Sequence, residues 1–326
     1  MSGLADKLKA RIAADGPIGV DEFMAAANTH YYATRDPLGA VGDFVTAPEI
    51  SQMFGEIVGA ALAETWARAG RPGDAILAEL GPGRGTLAAD ALRVMRKAGF
   101  AGEAHLVETS PTLRNVQASR VPSAIFHHSL DTLPDRPLLL VGNEFFDALP
   151  VQQWIDGGER RVGHDGCRFL FTASGPIEER SPARSLAAEA IGNRLAVHGG
   201  VALIIDYGFA SGERGDTLQA VKNHRFAEPL EAPGEQDLTA YVDFRAMAAA
   251  ASRGGAVVSR PVSQGTWLET LGIGARAIAL AARNPDQTAA VAEARRRLCD
   301  EDRMGRLFKV MALRAPGWPA VAGLEP

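Results

Sequence analysis

From residue 76 onward, short apolar runs alternate with stretches patterned as helices, and this alternation restricts the fold more than any other feature of the chain. The runs fall at 76–80 (ILAEL), 104–108 (AHLVE), 124–127 (AIFH), 138–142 and 201–206 (VALIID). Strands buried on both faces look like this, because no side of them meets water. Helical patterning lies near 86–98, 111–119 and 182–196. The expected class is α/β, a mostly parallel sheet covered by helices on both faces.

Two segments interrupt the alternation. At 151–172, "VQQWIDGGERRVGHDGCRFLFT", Gly157-Gly158 and Asp165-Gly166 separate three short runs, which predicts an inserted β-meander. Residues 207–240 are rich in Gly, Glu, Pro and Asp with little periodicity, which predicts a long loop of the kind that is usually functional or mobile. The tail carries "GAVVSRPV", an alanine-rich helical stretch at 275–298 and a last strand in "RLFKVMALRA". Residues 1–75 are mainly helical, an N-terminal extension or lid ahead of a core spanning 76–326. Its clearest helix, "TAPEISQMFGEIVGAALAETWARAG", opens on Thr46 and Glu49 spaced as a capping box. The preceding "HYYATRDPLGAVGDF" has the composition of a loop.

Bulk properties exclude several classes. A net charge of −5 and a pI near 5.9 argue against a nucleic-acid partner. The two cysteines, Cys167 and Cys299, form no metal-ligand spacing, so no metal site is expected. No apolar run approaches the ~18 residues of a membrane span. The N-terminus has no apolar signal core, so a cytoplasmic protein, or one of an organelle matrix, is expected.

Gly81, Gly83 and Gly85 follow a strand and precede a helix, where glycine lets backbone lie against a ligand. Thr86 stands where a dinucleotide fingerprint has its last glycine, Pro82 removes a phosphate-binding N–H, and no lysine follows any glycine. The loop therefore suits a nucleoside without phosphates, and S-adenosyl-L-methionine fits. Glu79 can face the ammonium of its methionine part. Glu108, ending the next strand, can accept from both ribose hydroxyls. After the third strand, Ser129 and Leu130 are placed to wall the adenine; His127 and His128 are assigned no role.

After the fourth strand, "GNEFFDALP" sets Asn143, Glu144 and Asp147 at a carboxyl end, where chemistry gathers in open α/β sheets. Phe145 and Phe146 sit between the acids, where a plain surface turn favours small polar residues. Methyl transfer asks mainly for alignment and exclusion of water. An arginine nucleophile stays charged at neutral pH, and paired carboxylates can grip it.

These stretches, with "GDFVTAPEISQMFGE", "VETSPTLR" and "DLTAYVDF", resemble the MidA-type methyltransferases, a family that includes a mitochondrial complex I assembly factor methylating an arginine. The similarity runs from about Gly16 to about Arg314. It implies a class I methyltransferase Rossmann-like sheet whose last strand is antiparallel, with S-adenosyl-L-methionine as cofactor. It also implies that Gly81, Gly83, Gly85, Glu108, Ser129 and Leu130 bind cofactor, and that Asn143, Glu144 and Asp147 face the substrate. Asp43, Thr46, Glu49 and Gln52 should lie close to the cofactor, and the substrate should be a protein, with a complex I subunit as one instance. "NTHYY" replaces the family's proline and glycine ahead of the paired tyrosines, so the resemblance says nothing of the path around Tyr31 and Tyr32.

Arginine methylation of a protein is thus the leading expectation. A small-molecule methyltransferase is the nearest rival, and a cofactor-binding assembly factor without catalysis is a third. An NAD-linked oxidoreductase is disfavoured by Thr86 and by the lack of a recognisable catalytic dyad.

Overall fold

The five apolar runs, joined by the final strand, form one sheet. In the computed structural model, which describes residues 3–34, 45–212 and 215–325, its strands are β1 (Ile76–Leu80), β2 (Ala104–Val107), β3 (Ile125–His127), β4 (Leu138–Asn143), β5 (Gly200–Phe209) and β6 (Phe308–Arg314). Their spatial order is β6–β5–β4–β1–β2–β3, parallel throughout except for antiparallel β6. The expected α/β sheet with its last strand reversed is what the chain builds. "GAVVSRPV" supplies two short strands, Val257–Val258 and Val262–Ser263, that pair with β6.

Alternation along the strands divides the core in two. Leu77, Leu139, Val141, Leu203 and Ile205 pack on one face against α4 (Gln52–Arg68) and α5 (Thr86–Lys97). Ile76, Ala78, Leu138, Leu140, Ala202 and Ile204 pack on the other against α7 (Pro182–His198) and α8 (Phe244–Arg253). Each leucine, isoleucine and valine among them contributes about 1.5–3 kcal/mol by leaving water. The α4 and α5 backbones touch closely: a β-carbon on Gly59 would lie 2.5 Å from Ala91 Cα.

A third cluster joins α1 (Leu4–Asp15) and α2 (Val20–Thr34) to the inserted segments, through Leu8, Ile12, Phe23, Met24, Val162, Phe169, Ala220 and Leu238. The 151–172 insertion is a meander, Gln152–Ile155, Gly158–His164 and Phe169–Phe171, extended by Glu178–Arg180 and Ile18–Gly19. Within 207–240, expected as a loop, lies a three-stranded antiparallel sheet of Gln219–Lys222, Arg225–Ala227 and Asp237–Thr239. Strands of three or four residues are too short to impose a visible period on the sequence.

Two helices differ from expectation. The run from Thr46 breaks at Ser51, which is extended (φ −163°, ψ 141°) and caps α4 by accepting from Met53 N at 3.2 Å. Ahead of it stands the single turn α3 (Ala47–Ile50), for which Thr46 makes no side-chain cap bond, so the predicted capping box does not form. The alanine-rich stretch breaks at Asn284-Pro285, because proline cannot donate within a helix, giving Ile273–Arg283 and Thr288–Cys299. Tyr31 and Tyr32, expected in a loop, belong to α2. Residues 35–44 of that expected loop, Asp43 among them, lie outside the described residues.

Candidate active site

The sheet order places β1 beside β4, with chain continuing outward from β1 in one direction and from β4 in the other. Open α/β sheets bind ligands in the crevice beyond the carboxyl ends at such a reversal. A cavity of about 870 Å³ lies there, lined by the glycine loop, the ends of β1, β2 and β4, and residues of α2, α3 and α7.

Gly81 and Gly83 have φ of 58° and 52°, a region that L side chains rarely adopt. A β-carbon on Gly81 would lie 2.9 Å from Phe145 Cδ2, so the loop packs tightly against the acidic turn. Gly85 (φ 77°) starts α5 and turns toward Gln117 of α6 (Pro111–Arg120), outside the cavity lining. Gln117 Nε2 donates to Gly83 O at 2.7 Å and to Glu108 Oε2 at 3.1 Å, locking the loop to the end of β2.

Two acids face this cradle. Glu79 is buried, and its Oε2 has no hydrogen-bond partner among the described residues. Burial pushes its carboxyl up to about 8, against an opposing bond from the Ala88 backbone. Glu108 accepts from Ser110 N at 2.7 Å as well as from Gln117, and burial raises it too. Those two donors leave acceptor capacity on a carboxylate. Ser129, Leu130, Val107 and Leu113 line the adjoining wall.

Thr46, Pro48 and Glu49 close the front. Glu49 accepts from the Thr86 hydroxyl and from Arg120 at 3.2 Å, which ties α3 to the start of α5. Gln52 is turned away. It donates to Glu56 at 3.3 Å, within an ion-pair network that Glu56 forms with Arg93 and Arg276 at 2.8 and 2.6 Å.

Asn143, Glu144 and Phe145 also line the cavity. Glu144 sits at φ 50°, unusual for a non-glycine residue. Its Oε1 accepts from Ala47 N at 3.1 Å and from Asn143 Nδ2 at 3.2 Å. Burial, then the charge of Asp147, pushes the Glu144 carboxyl up to about 8. Asp147 stands behind, outside the lining: its Oδ2 accepts from the Tyr207 hydroxyl at 2.7 Å. Burial raises Asp147 as well.

The sequence reasoning missed the two residues that hold this turn. Asp206 Oδ2 accepts from Phe146 N at 2.9 Å and Asp147 N at 3.2 Å. Burial, then the charges of Asp147 and Glu144, raises Asp206 well above the usual carboxylate range. Arg184 donates to the carbonyls of Phe146, Asp147, Ala240 and Tyr241 at 2.6–2.9 Å. Asp206 was findable: it is an acid near the end of a strand, as Glu79 and Glu108 are. Arg184 left no local signal, since its partners lie 37 to 57 positions away.

The residues suit S-adenosyl-L-methionine. A partnerless buried carboxylate oxygen meets an ammonium, an acid with spare acceptor capacity meets ribose hydroxyls, and apolar side chains meet adenine. Comparisons with known proteins agree. A family model for S-adenosyl-L-methionine-dependent methyltransferases matches residues 57–178 and 167–262. The mitochondrial protein arginine methyltransferase NDUFAF7 homologue of Drosophila melanogaster is 37% identical, over 95% of this chain and 84% of its own. Human mitochondrial protein arginine methyltransferase NDUFAF7 is 33% identical, over 93% of this chain and 81% of its own. A Burkholderia thailandensis protein crystallised with S-adenosyl-homocysteine superposes with a TM-score of 0.86 at 26% identity, covering 99% of this chain and 95% of that one.

Proposed function

The chain belongs to the S-adenosyl-L-methionine-dependent methyltransferase family, and from that premise we propose that it methylates arginine side chains of a protein acceptor at the turn Asn143–Asp147. One observation carries the choice of acceptor. Glu144, at the cavity, stands among Asp147, Asp206 and Asp237, while the guanidinium of Arg184 is taken up by four carbonyls. Burial and mutual repulsion hold the Glu144 and Asp206 carboxyls toward their protonated form, and an arriving cation favours their ionisation.

In this proposal Glu79 holds the methionine ammonium, Glu108 the ribose, and Ser129 and Leu130 the adenine. Gly81 and Gly83 allow close backbone approach, Gly85 sets the loop's exit into α5, and Thr46 covers the front. Gln52, engaged with Glu56, is given no contact. When bound, the cofactor supplies an electrophilic methyl group on a sulfonium.

Glu144 accepts N–H groups of the guanidinium and aims one nitrogen into the cavity, with Asn143 orienting the carboxylate. Asp147 acts through its charge on Glu144. A nitrogen that gains a methyl must shed a proton, and Glu144 is the group we assign to take it. Phe145 keeps water from the acidic turn.

The test is mass spectrometry of a cell lysate incubated with the full chain and methyl-labelled S-adenosyl-L-methionine. Labelled arginine that disappears with Glu144→Ala supports the proposal. Label confined to small molecules would replace it with the rival reading. A respiratory complex I subunit as the acceptor rests on family resemblance, and the identity of the labelled protein decides it.

A further inference from the structure

Two elements beside the acidic turn are given no contact with the acceptor in the mechanism above: α2 and the strand Asp237–Thr239. Asn28 links them. Its Nδ2 donates to Ala148 O at 3.0 Å and Leu238 O at 2.8 Å, and its Oδ1 accepts from Leu238 N at 3.1 Å. One helical turn later the Tyr32 hydroxyl donates to Asp237 Oδ1 at 2.8 Å. Spacing of four residues puts Asn28 and Tyr32 on one face of α2. The helix is thereby fastened at two successive turns, and both side chains line the cavity that Glu144 lines. Asp237 is buried, and its charge reaches Tyr32 and Glu144 alike.

We infer that Tyr32 binds the acceptor, its hydroxyl oxygen taking an N–H of the substrate guanidinium across from Glu144, with Asp237 as the residue that positions that hydroxyl. The inference rests on the arginine proposal and deepens it. A hydroxyl has one proton and two lone pairs. With the proton committed to Asp237, the oxygen has only acceptor capacity to offer. A guanidinium has only donors, five of them in a fixed plane, and meets acceptors on two sides better than a compact ammonium does. Glu144 and Tyr32 reach the cavity from different elements, β4 and α2, so they can supply those two sides.

The experiment uses the full chain loaded with S-adenosyl-homocysteine, titrated by ligand-observed NMR with N-acetyl-arginine-N-methylamide and its lysine counterpart. Wild type should prefer the arginine probe. Tyr32→Phe, which removes only the oxygen, should weaken that probe about ten- to a hundredfold. Its affinity for S-adenosyl-homocysteine should stay as in wild type, while its thermal midpoint should fall modestly, since Asp237 loses the hydroxyl that fastens α2. Asp237→Asn, which keeps an acceptor for the hydroxyl, should retain more affinity for the arginine probe than Asp237→Ala. Equal arginine binding by wild type and Tyr32→Phe, with loss in Glu144→Gln, overturns the role of Tyr32 and leaves the arginine proposal standing. No preference for the arginine probe in wild type overturns both.

Discussion

The backbone N–H of Ala47 donates a 3.1 Å hydrogen bond to Glu144 Oε1. This bond joins the front wall of the cavity to the acidic turn, although the residues lie 97 positions apart. It also gives Glu144 a fixed direction at the cavity wall.

The backbone at Glu144 favours glycine, so function and stability should separate there. Glu144→Gly should be more stable than Glu144→Ala by about 1 kcal/mol, since alanine keeps the β-carbon in the left-handed region. Both should lose methyl transfer while binding S-adenosyl-homocysteine as wild type does. Denaturant unfolding and calorimetry measure the two properties on the same samples.

Glu79 and Glu144 fix a pH dependence of stability. Both carboxyls are raised from an ordinary 4.5 to about 8. Between those values the folded chain holds protons that the unfolded chain has released, so stability falls as pH rises across that window. The thermal midpoint should be higher at pH ~6 than at pH ~8.5, and Glu79→Gln should flatten that slope.

Glu79 also predicts proton release on cofactor binding. An ammonium beside Glu79 favours its ionised form. Calorimetry of S-adenosyl-L-methionine binding near neutral pH, in buffers of different ionisation enthalpy, should show protons leaving the protein. Glu79→Gln should reduce both the release and the affinity. Identical heats in every buffer would contradict this assignment.

Arg184 is expected to hold the acidic turn. Arg184→Met removes donors from four carbonyls and leaves Asp147 and Asp206 without their nearby cation. A loss of about 3–5 kcal/mol is expected from leaving buried carbonyls without their donors. Arg184→Lys should recover little, because one ammonium cannot reproduce a planar fork. Urea unfolding of the three proteins checks the order.

What the sequence disclosed follows from what local chemistry can encode. Strands β1, β4 and β5 were legible because their side chains are buried on both faces, and β6 as an isolated apolar run, whereas β2 and β3 showed only as short apolar runs between helical stretches. Glu79, Gly81, Gly83, Glu108, Asn143 and Glu144 were legible because strand ends converge wherever a parallel sheet forms, and all six line the cavity. The orientation of Gln52 was not legible, since it depends on Glu56 binding Arg93 and Arg276 from distant segments. The retreat of Asp147 behind the lining was hidden for the same reason, as its partner Tyr207 lies 60 positions on. Ser51 ends one helix and caps the next within a run whose apolar spacing continues unbroken.

A crystal structure of the chain with S-adenosyl-homocysteine bound tests the account at its centre. The ribose hydroxyls should lie on Glu108, the ammonium beside Glu79, and the sulfur should face Glu144 across the cavity. A ligand seated in another part of the molecule, or a sulfur turned away from the 143–147 turn, would contradict it.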